Sequence, residues 1–208
     1  GNINLVAIDG YRFAVRSCQV DNLIHEDLKA KIIIPGKTLI DVNSLLSSEE
    51  EVKVGFNEKN AIFIINDTKI VTRLLEGEFI DYKKLCPREY NSKIKLKTKD
   101  LLNSIERASL LSQSEQNNLI KLSIRDSMMA ITSNNEKGNV YEEVSLSLEG
   151  DYLDIAFNSR YLLEGLKNID CEEIYIEFTT NVNPCIIKPA DGTKYTYLLL
   201  PVRISSNN

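Results

Sequence analysis

The stretch KIKLKTKDLLNSIERASLLS, residues 93–112, decides how the rest of the chain is interpreted. Ile94 and Leu96 alternate with lysines, which is typical of a short strand. From Thr98, a suitable N-cap residue, apolar side chains recur at helical spacing. The apolar side of this helix is expected to contain Leu101, Leu102, Ile105, Ala108 and Ser109, and the polar side Asn103, Glu106 and Arg107. The stretch therefore predicts a strand that runs directly into an amphipathic helix.

The same pattern recurs on both sides of this stretch. KIIIPGKTLIDVNSLL begins at Lys31, and YLDIAFNSRYLLEGLKNI begins at Tyr152. The three helix starts align at Gly36, Thr98 and Asn158, a spacing of roughly 60 residues that exceeds the usual helical-solenoid periods. Three β-like runs follow each helix: EVKVGF, AIFII and KIVTRLLE, then LIKLSI, MMAITS and YEEVSLSL, then EIYIEF, CIIKP and YTYLLLPVRI. The chain is therefore predicted to be an α+β protein built from repeated β-α-β-β-β modules.

The start of the chain has the features of an incomplete module. INLVAI and RFAVRSC are alternating runs joined by Asp9-Gly10, a strong hairpin signal because both residues tolerate positive φ. These two strands resemble the end of a module whose helix is absent, and the chain opens with Gly1 instead of methionine. We therefore expect a C-terminal fragment of a longer protein.

The repeats favour two domains, residues 1–92 and 93–208. Residues 76–92 interrupt the pattern with Gly77, Pro87 and mixed charges, which indicates an interdomain linker. Its apolar residues exceed what a free linker needs, so they are expected to pack on a domain. Pro201 interrupts the last apolar run and therefore predicts an edge or the end of a strand.

Composition describes an ordinary globular protein, with 43% hydrophobic and 26% charged residues. No apolar run is long enough for a membrane span. The four cysteines are scattered without metal-ligand spacing, which favours reduced thiols and a cytoplasmic location. A net charge of −5 argues against a surface coated in cations for nucleic acid, although it allows a local basic face.

Catalytic motifs are absent from the sequence. It has no P-loop, no G-x-G-x-x-G, no G-x-S-x-G and no zinc-ligand spacing, and its one histidine has no motif-level nucleophile beside it. The acidic pairs Glu142-Glu143 and Glu172-Glu173 are more typical of solvated strand edges. The sequence therefore predicts a protein that is not an enzyme and that needs no cofactor or metal.

Cations recur on or near the three predicted helices, away from the apolar stripe: Lys37, Lys99, Arg107, Arg160 and Lys167. Such residues often form an ordinary solvated helix surface. If the sheets join edge to edge and the helices all lie on one side, these residues instead form a row suited to phosphate contacts. So few cations would give weak, salt-sensitive and sequence-independent binding of duplex DNA.

The motifs LVAIDGYRFAV (5–15), LLEGEFIDYKKLCP (74–87), IERASLLS (105–112), FNSRYLLEGLKNI (157–169) and YLLLPVRI (197–204) together resemble the bacterial sliding clamp, the β subunit of DNA polymerase III. They occur in the family's order along the whole chain. The resemblance implies head-to-tail homodimeric rings of three similar domains per protomer, with antiparallel sheets outside and helices on the inner face. This chain would hold the latter part of the second domain and all of the third.

The resemblance implies a processivity factor that encircles duplex DNA and tethers the replicative polymerase, in the cytoplasm and associated with the nucleoid. The implied partners are the DNA polymerase III α subunit, the clamp loader and other clamp-motif proteins. Their peptides would dock in a groove formed by Ile8, Gly10, Tyr11, Arg12, Phe13, Ile80, Lys84, Leu85, Val182, Pro184, Leu198, Leu199, Leu200, Pro201, Val202 and Arg203. An exposed apolar patch with a polar rim is a mark of such sites.

Four groove positions depart from the commoner family pattern: Tyr11, Phe13, Ile80 and Leu200. These changes keep apolar volume, so we expect them to alter fit more than to abolish binding. The alternative hypothesis is a non-catalytic protein–protein adaptor built from the same modules. An adaptor would need apolar residues on the exposed helix faces, where this sequence has polar ones.

Overall fold

The computed structural model describes residues 1–20, 30–47, 51–112, 118–136, 138–192 and 194–203. The helices are α1 (Gly36–Leu45), α2 (Thr98–Ser112) and α3 (Ser159–Leu166), with a 3-10 turn at Tyr82–Lys84. The first seven strands are β1 (Asn2–Ile8), β2 (Arg12–Gln19), β3 (Lys53–Phe56), β4 (Asn60–Ile65), β5 (Thr68–Arg73), β6 (Ser92–Lys97) and β7 (Leu119–Arg125). The others are β8 (Met128–Asn135), β9 (Gly138–Ser145), β10 (Ser147–Gly150), β11 (Leu153–Asn158), β12 (Glu173–Phe178), β13 (Cys185–Pro189) and β14 (Tyr195–Leu199).

The chain divides into two compact units. The large unit comprises Gly1–Leu23 with Lys83–Asn208, and the small unit comprises Ile24–Tyr82. The strands β1 and β2 belong to the large unit because they join its main sheet. The predicted domain boundary at residue 92 stays a proposal.

The large unit contains a seven-stranded sheet in the order β1-β2-β14-β13-β12-β6-β10 and a four-stranded sheet in the order β11-β7-β8-β9, with antiparallel pairing. The run YEEVSLSL, predicted as one strand, is divided between β9 and β10, and β10 pairs with β6 in the other sheet. Gly150 ends β10 with φ 99°, and a Cβ there would lie 1.9 Å from the Asn91 carbonyl oxygen. The close approach explains why the residue at this crossing is glycine.

The hydrophobic core of the large unit confirms the predicted amphipathic helix. Leu101, Ile105 and Ala108 on α2 are fully buried, and Ser104 joins them on the same side. The helices α2 and α3 contact each other, α2 packs on β8 and β9, and α3 packs on β11 and β14. Each helix therefore has one face in the core and another in solvent.

The small unit holds α1 and the sheet β3-β4-β5 around the buried residues Val42, Ala61, Phe63 and Ile65. The strand predicted before α1, in residues 31–35, is wrong because these residues form no strand. The Ile33 carbonyl accepts one hydrogen bond from the Leu75 N–H at 2.9 Å, but Pro35 has no N–H to extend a ladder. The module pattern β-α-β-β-β is therefore complete around α2 and α3 and lacks its first strand around α1.

Helix capping matches the sequence at one of the three aligned positions. The Asn158 side chain accepts from the backbone N–H groups of Arg160 at 3.0 Å and Tyr161 at 3.3 Å. The expected cap at Thr98 is wrong, because its buried hydroxyl has no hydrogen-bond partner among the described residues. The helix α1 starts at Gly36, which has no side chain to cap with, and Pro35 before it makes no side-chain cap either.

Within the described ranges, no helix is both long enough and apolar enough to cross a membrane.

Candidate partner-binding surface

The hairpin between β1 and β2 lies beside the end of the last strand. Asp9 stabilises the turn, since its carboxylate accepts from the backbone N–H groups of Tyr11 at 2.8 Å and Arg12 at 3.0 Å. In the β2–β14 pair, Phe13 lies opposite Leu198 and Arg12 lies opposite Leu199. The Leu200 N–H then donates to the Tyr11 carbonyl at 2.9 Å. The fold thus brings together residues 8–13 and 198–203, which are far apart in sequence.

Burial separates the candidate groove residues into two groups. Phe13, Leu198 and Leu199 are at most 5% exposed and belong to the packed interior. Exposed apolar area comes from four side chains that we call the hairpin surface: Ile8, Tyr11, Val182 and Leu200, which are 37 to 60% exposed. A partner would therefore touch this second group, while the first group supports it.

A cavity of about 190 Å³ continues from the hairpin surface. Its lining includes three candidate groove residues, Val182, Val202 and Arg203, and four others, Asp154, Ile155, Ala156 and Asn181. The Val202 N–H donates to the Ala156 carbonyl at 2.8 Å, which fixes the segment after Pro201 against β11. Pro184 directly precedes Cys185, whose partner on β14 is Leu199.

The remaining candidate groove residues come from the predicted linker. Lys84 and Leu85 belong to the large unit and are exposed. Ile80 is exposed and belongs to the small unit. Their participation in the groove stays a prediction.

Arg12 is the most highly connected cation of this surface. Its guanidinium donates to Asp9 at 3.0 Å, to Glu164 on α3 at 2.7 Å and to the Tyr197 hydroxyl at 3.5 Å. Burial alone would lower the pKa of Arg12, but its hydrogen bonds with Tyr197, Glu164 and Asp9 outweigh burial and raise it. Arg12 therefore remains charged and fixed in place.

Two stacked tyrosines, Tyr11 and Tyr161, lie next to Arg12. The Arg12 guanidinium lies 4.3 Å from the centre of the Tyr161 ring, a cation–π contact. The Tyr11 ring stacks on Tyr161 with 5.7 Å between centroids and 27° between planes. The Tyr197 hydroxyl donates to the Tyr161 carbonyl at 2.8 Å. Since Tyr11 is 60% exposed, its ring is available to a partner, and Tyr161 supports it from below.

Three of the predicted DNA-facing cations are exposed on the large unit with a carboxylate partner. Arg107 pairs with Glu142 on β9 at 2.5 Å, Arg160 pairs with Glu164 at 2.9 Å, and Lys167 pairs with Glu106 at 2.8 Å. The Lys167–Glu106 pair joins the exposed faces of α3 and α2. The face is therefore polar with its charges largely balanced.

The other two predicted DNA-facing cations are Lys37 and Lys99. Both are exposed, and within the described part of the chain neither forms an ion pair. Lys99 lies in the first turn of α2 and Lys37 in the first turn of α1, in the small unit.

Two family models cover nearly the whole chain. The model described as "DNA polymerase III beta subunit, central domain" matches residues 1–81, and the model described as the C-terminal domain of the same subunit matches residues 83–203. The chain belongs to the DNA polymerase III β-subunit family of bacterial sliding clamps. The resemblance read from the sequence motifs is therefore confirmed.

Individual clamps agree with this assignment. The chain is 38% identical over 200 residues to the beta sliding clamp of Staphylococcus epidermidis and 36% identical to that of Staphylococcus aureus. In both cases the match covers 95% of this chain and 52% of the relative, so the chain spans about half the length of these clamps.

Solved clamp structures have the same fold. The sliding clamp of Bacillus subtilis superposes with a TM-score of 0.93 at 33% identity, over 98% of this chain and 54% of that one. The clamp of Pseudomonas aeruginosa bound to griselimycin gives a TM-score of 0.89 at 26% identity, over 98% and 55% of the two chains. The predicted α+β clamp fold is confirmed.

Sequence reasoning missed two residues of the clamp chain that hold this surface together, Tyr161 and Glu164. A weak signal was present, because Tyr161 aligns with Leu39 and Leu101, and an aromatic hydroxyl at an otherwise aliphatic helix position needs a polar environment. Glu164 gave no signal, since its partner Arg12 lies far away in sequence.

Across the described ranges, no group of three or more His, Cys, Asp or Glu residues could hold a metal ion.

Proposed function

We propose that this chain supplies the later part of the second domain and the whole third domain of a sliding clamp. The complete protein would encircle duplex DNA as a homodimeric ring and act as a processivity factor for the replicative polymerase. The ring would work in the cytoplasm at the nucleoid and would catalyse no reaction. Its partners would be the DNA polymerase III α subunit, the clamp loader and other proteins with a clamp-binding motif.

The observation that carries this proposal is the pairing of β2 with β14. It places the exposed side chains Tyr11 and Leu200 beside one another over the buried Phe13 and Leu198. A short apolar peptide can bury its side chains on such a surface without reorganising the backbone beneath it. A rigid, preformed apolar site lowers the ordering cost of binding.

The exposed helix faces support the DNA part of the proposal. Arg107, Arg160 and Lys167 are accessible, but each already has a carboxylate partner. A phosphate would have to compete with these carboxylates, so each contact with DNA would be weak and easily exchanged. Retention on DNA would then come from enclosure, and the weak contacts would permit sliding.

Ring assembly is supported by one exposed edge. Among the described strands, β9 pairs only with β8, so its other side offers unpaired backbone groups. Leu110, 72% exposed at the end of the neighbouring α2, and Tyr141, 63% exposed on β9, lie near this edge. We propose that the neighbouring protomer of the ring covers this edge by strand addition.

Peptide capture can be tested with this chain alone. We expect a labelled clamp-motif peptide to bind, and Leu200→Ala or Tyr11→Ala to weaken binding by about tenfold or more, as for a central contact residue. Val71→Ala, which truncates an exposed apolar residue of the small unit, is the matched control. Leu198 is unsuitable for substitution because it is buried, so weaker binding could result either from a lost peptide contact or from lost stability of the fold. The assignment would be refuted if the wild-type chain did not bind the peptide, or if Leu200→Ala bound it with the same affinity as Val71→Ala.

Encirclement needs the whole protein. Clamps loaded on a nicked circular DNA should remain bound at moderate salt and should leave once the circle is cut to give free ends. Equal retention on circular and linear DNA would show direct affinity in place of topology.

A further inference from the structure

Glu164 bridges two arginines that belong to different surfaces. One carboxylate oxygen, Oε2, accepts from Arg12 Nη1 at 2.7 Å. The other, Oε1, accepts from Arg160 Nε at 2.9 Å. Arg12 directly follows Tyr11 of the hairpin surface, whereas Arg160 is 74% exposed on the solvent face of α3. A single carboxylate therefore connects the partner-binding region with the helix face.

The connection extends to an exposed side chain. Arg12 lies over the Tyr161 ring at 4.3 Å, and Tyr161 in turn stacks on Tyr11. A change in the strength of the Glu164–Arg12 ion pair therefore alters the position of Arg12, on which the stacked Tyr161 and Tyr11 rings rest. Tyr11 would contact a bound peptide, so the support is relevant to affinity.

We propose that Glu164 is a positioning residue through which a phosphate group bound at Arg160 strengthens peptide binding at the hairpin surface. The inference rests on the proposed function. A phosphate near Arg160 neutralises its charge and competes for its Nε–H. The Glu164 carboxylate then pairs with Arg12 alone, which strengthens that ion pair and restrains Arg12 over the Tyr161 ring. The stacked Tyr11–Tyr161 pair becomes better ordered as a result. Two ligands that favour the same arrangement bind cooperatively.

The chain offers a matched control on the same helix face. Lys167 and Glu106 form an exposed ion pair at 2.8 Å, with side chains 55% and 44% accessible. Neither residue contacts Arg12 or Tyr161 in any hydrogen bond or ion pair that the structure gives them. A phosphate effect that passes through Glu164 should therefore survive loss of Lys167 and disappear with loss of Arg160.

The test measures the dissociation constant of a labelled clamp-motif peptide by fluorescence anisotropy. Each chain is titrated with and without inorganic phosphate, with chloride to match ionic strength, and each except Lys167→Gln again with a short DNA duplex. For wild type we expect phosphate to tighten peptide binding by about fivefold, the lower end of typical coupling. The duplex should act in the same direction if the backbone phosphate of DNA is the physiological source; an effect of free phosphate alone would assign the site to the free anion.

Three variants isolate the route. Glu164→Gln should raise the dissociation constant of the peptide by about threefold to tenfold. It should also abolish the phosphate response, because the amide carries no negative charge that two arginines could share. Arg160→Gln should keep wild-type affinity or exceed it, and should also lose the response. Lys167→Gln should keep the wild-type peptide affinity and the wild-type response to inorganic phosphate; it is not titrated with the duplex, because Lys167 is a proposed DNA contact.

The outcomes separate this inference from the function on which it rests. If wild type binds no clamp-motif peptide, the proposed function fails and the inference fails with it. If wild type binds peptide but Glu164→Gln has the same affinity, or still responds to phosphate, the inference alone is overturned. Loss of the response in Lys167→Gln would also overturn it, because the effect would then be a general property of the helix face.

Discussion

The modules around α1 and α2 share a sequence pattern but differ in how much they bury. α2 places Leu101, Ile105 and Ala108 in an extended core to which both sheets of the large unit contribute residues. α1 buries only Val42, and Ile40 is 70% exposed although it aligns with the core-facing pair of the other helices. The pattern thus predicts which side of a helix is apolar. It does not predict how many layers of structure cover that side, and stability follows the coverage.

The sharpest test of this contrast removes one phenylalanine from each core. Phe157→Ala in the large unit should lower the free energy of unfolding by about 3–5 kcal/mol, because the fully buried ring is surrounded by packed neighbours and leaves a cavity. Phe63→Ala in the small unit should have a smaller effect. Its neighbours on the same sheet face, Val54 and Phe56, are already exposed and can shift into the space.

Urea unfolding followed by a probe in each unit would measure both values. An equal or larger loss for Phe63→Ala would show that the small core is as constrained as the large one.

A second test compares crowded and open glycines. A Cβ at Gly165 on α3 would lie 2.4 Å from the Tyr197 ring, which cannot move freely because its hydroxyl donates to the Tyr161 carbonyl. Gly165→Ala should therefore lower stability by about 1–3 kcal/mol, even though alanine favours helices.

The matched control for Gly165 is Gly55→Ala on β3 of the small unit, where no described atom beyond its chain neighbours lies within 4 Å of the added Cβ. That variant should be neutral within about 0.5 kcal/mol in thermal or urea unfolding. A destabilised Gly55→Ala would contradict the view that the small unit is loosely covered there.

Acid should weaken the large unit through the carboxylates around Arg12. A hydrogen bond from Arg160 lowers the pKa of Glu164 against the opposing effect of burial, and Arg12 lowers it further. Burial would raise the pKa of Asp9, but hydrogen bonds from Tyr11 and Arg12 lower it overall. Because both pKa values fall on folding, the stabilisation is complete above the usual values of 4.5 and 3.8 and is lost as pH falls below them.

Glu164→Gln should therefore flatten the loss of stability between about pH 5 and pH 3, by no more than about 1 kcal/mol since the carboxylate is partly exposed. The signal to follow is the large-unit transition in a series of urea curves across this pH range. An unchanged pH slope would mean that Arg12 and Arg160 do not stabilise the carboxylate.

The smallest effect is expected from Arg107→Gln. The guanidinium pairs with Glu142 at 2.5 Å but is exposed, so solvent and salt screen the pair. Melting temperatures of this variant and wild type should agree within error at physiological salt. A clear drop would place the helix-face ion pairs among the determinants of the fold.

The sequence predicted the modules around α2 and α3 well because they obey local rules. Alternation, helical spacing and the Asp9-Gly10 turn each depend on neighbouring residues. The errors have non-local causes. Residues 31–35 are apolar enough for a strand but pair with none of the described strands. β10 leaves its run because Ser92 to Lys95 offer a free edge in another sheet.

The candidate site divides in a similar way. Resemblance to a family pointed to residues 8–13 and 198–203, which the fold places side by side. It could not reveal that Phe13 and Leu198 are buried supports, or that Glu164 holds Arg12. Those facts depend on which side chains meet across sheets and helices, and a single sequence does not record such pairs.

The position of β14 has a mechanical consequence. This strand is hydrogen-bonded on one side to β2 and on the other to β13, and it ends next to the exposed Leu200. A force applied to a ligand bound at Leu200, along the direction of β14, would load the hydrogen bonds to β2 and to β13 in shear. Many of these hydrogen bonds would then have to break at the same time. The proposed partner-binding surface thus lies where pulling loads the sheet in its strongest direction, so a pulled ligand should dissociate before the protein unfolds.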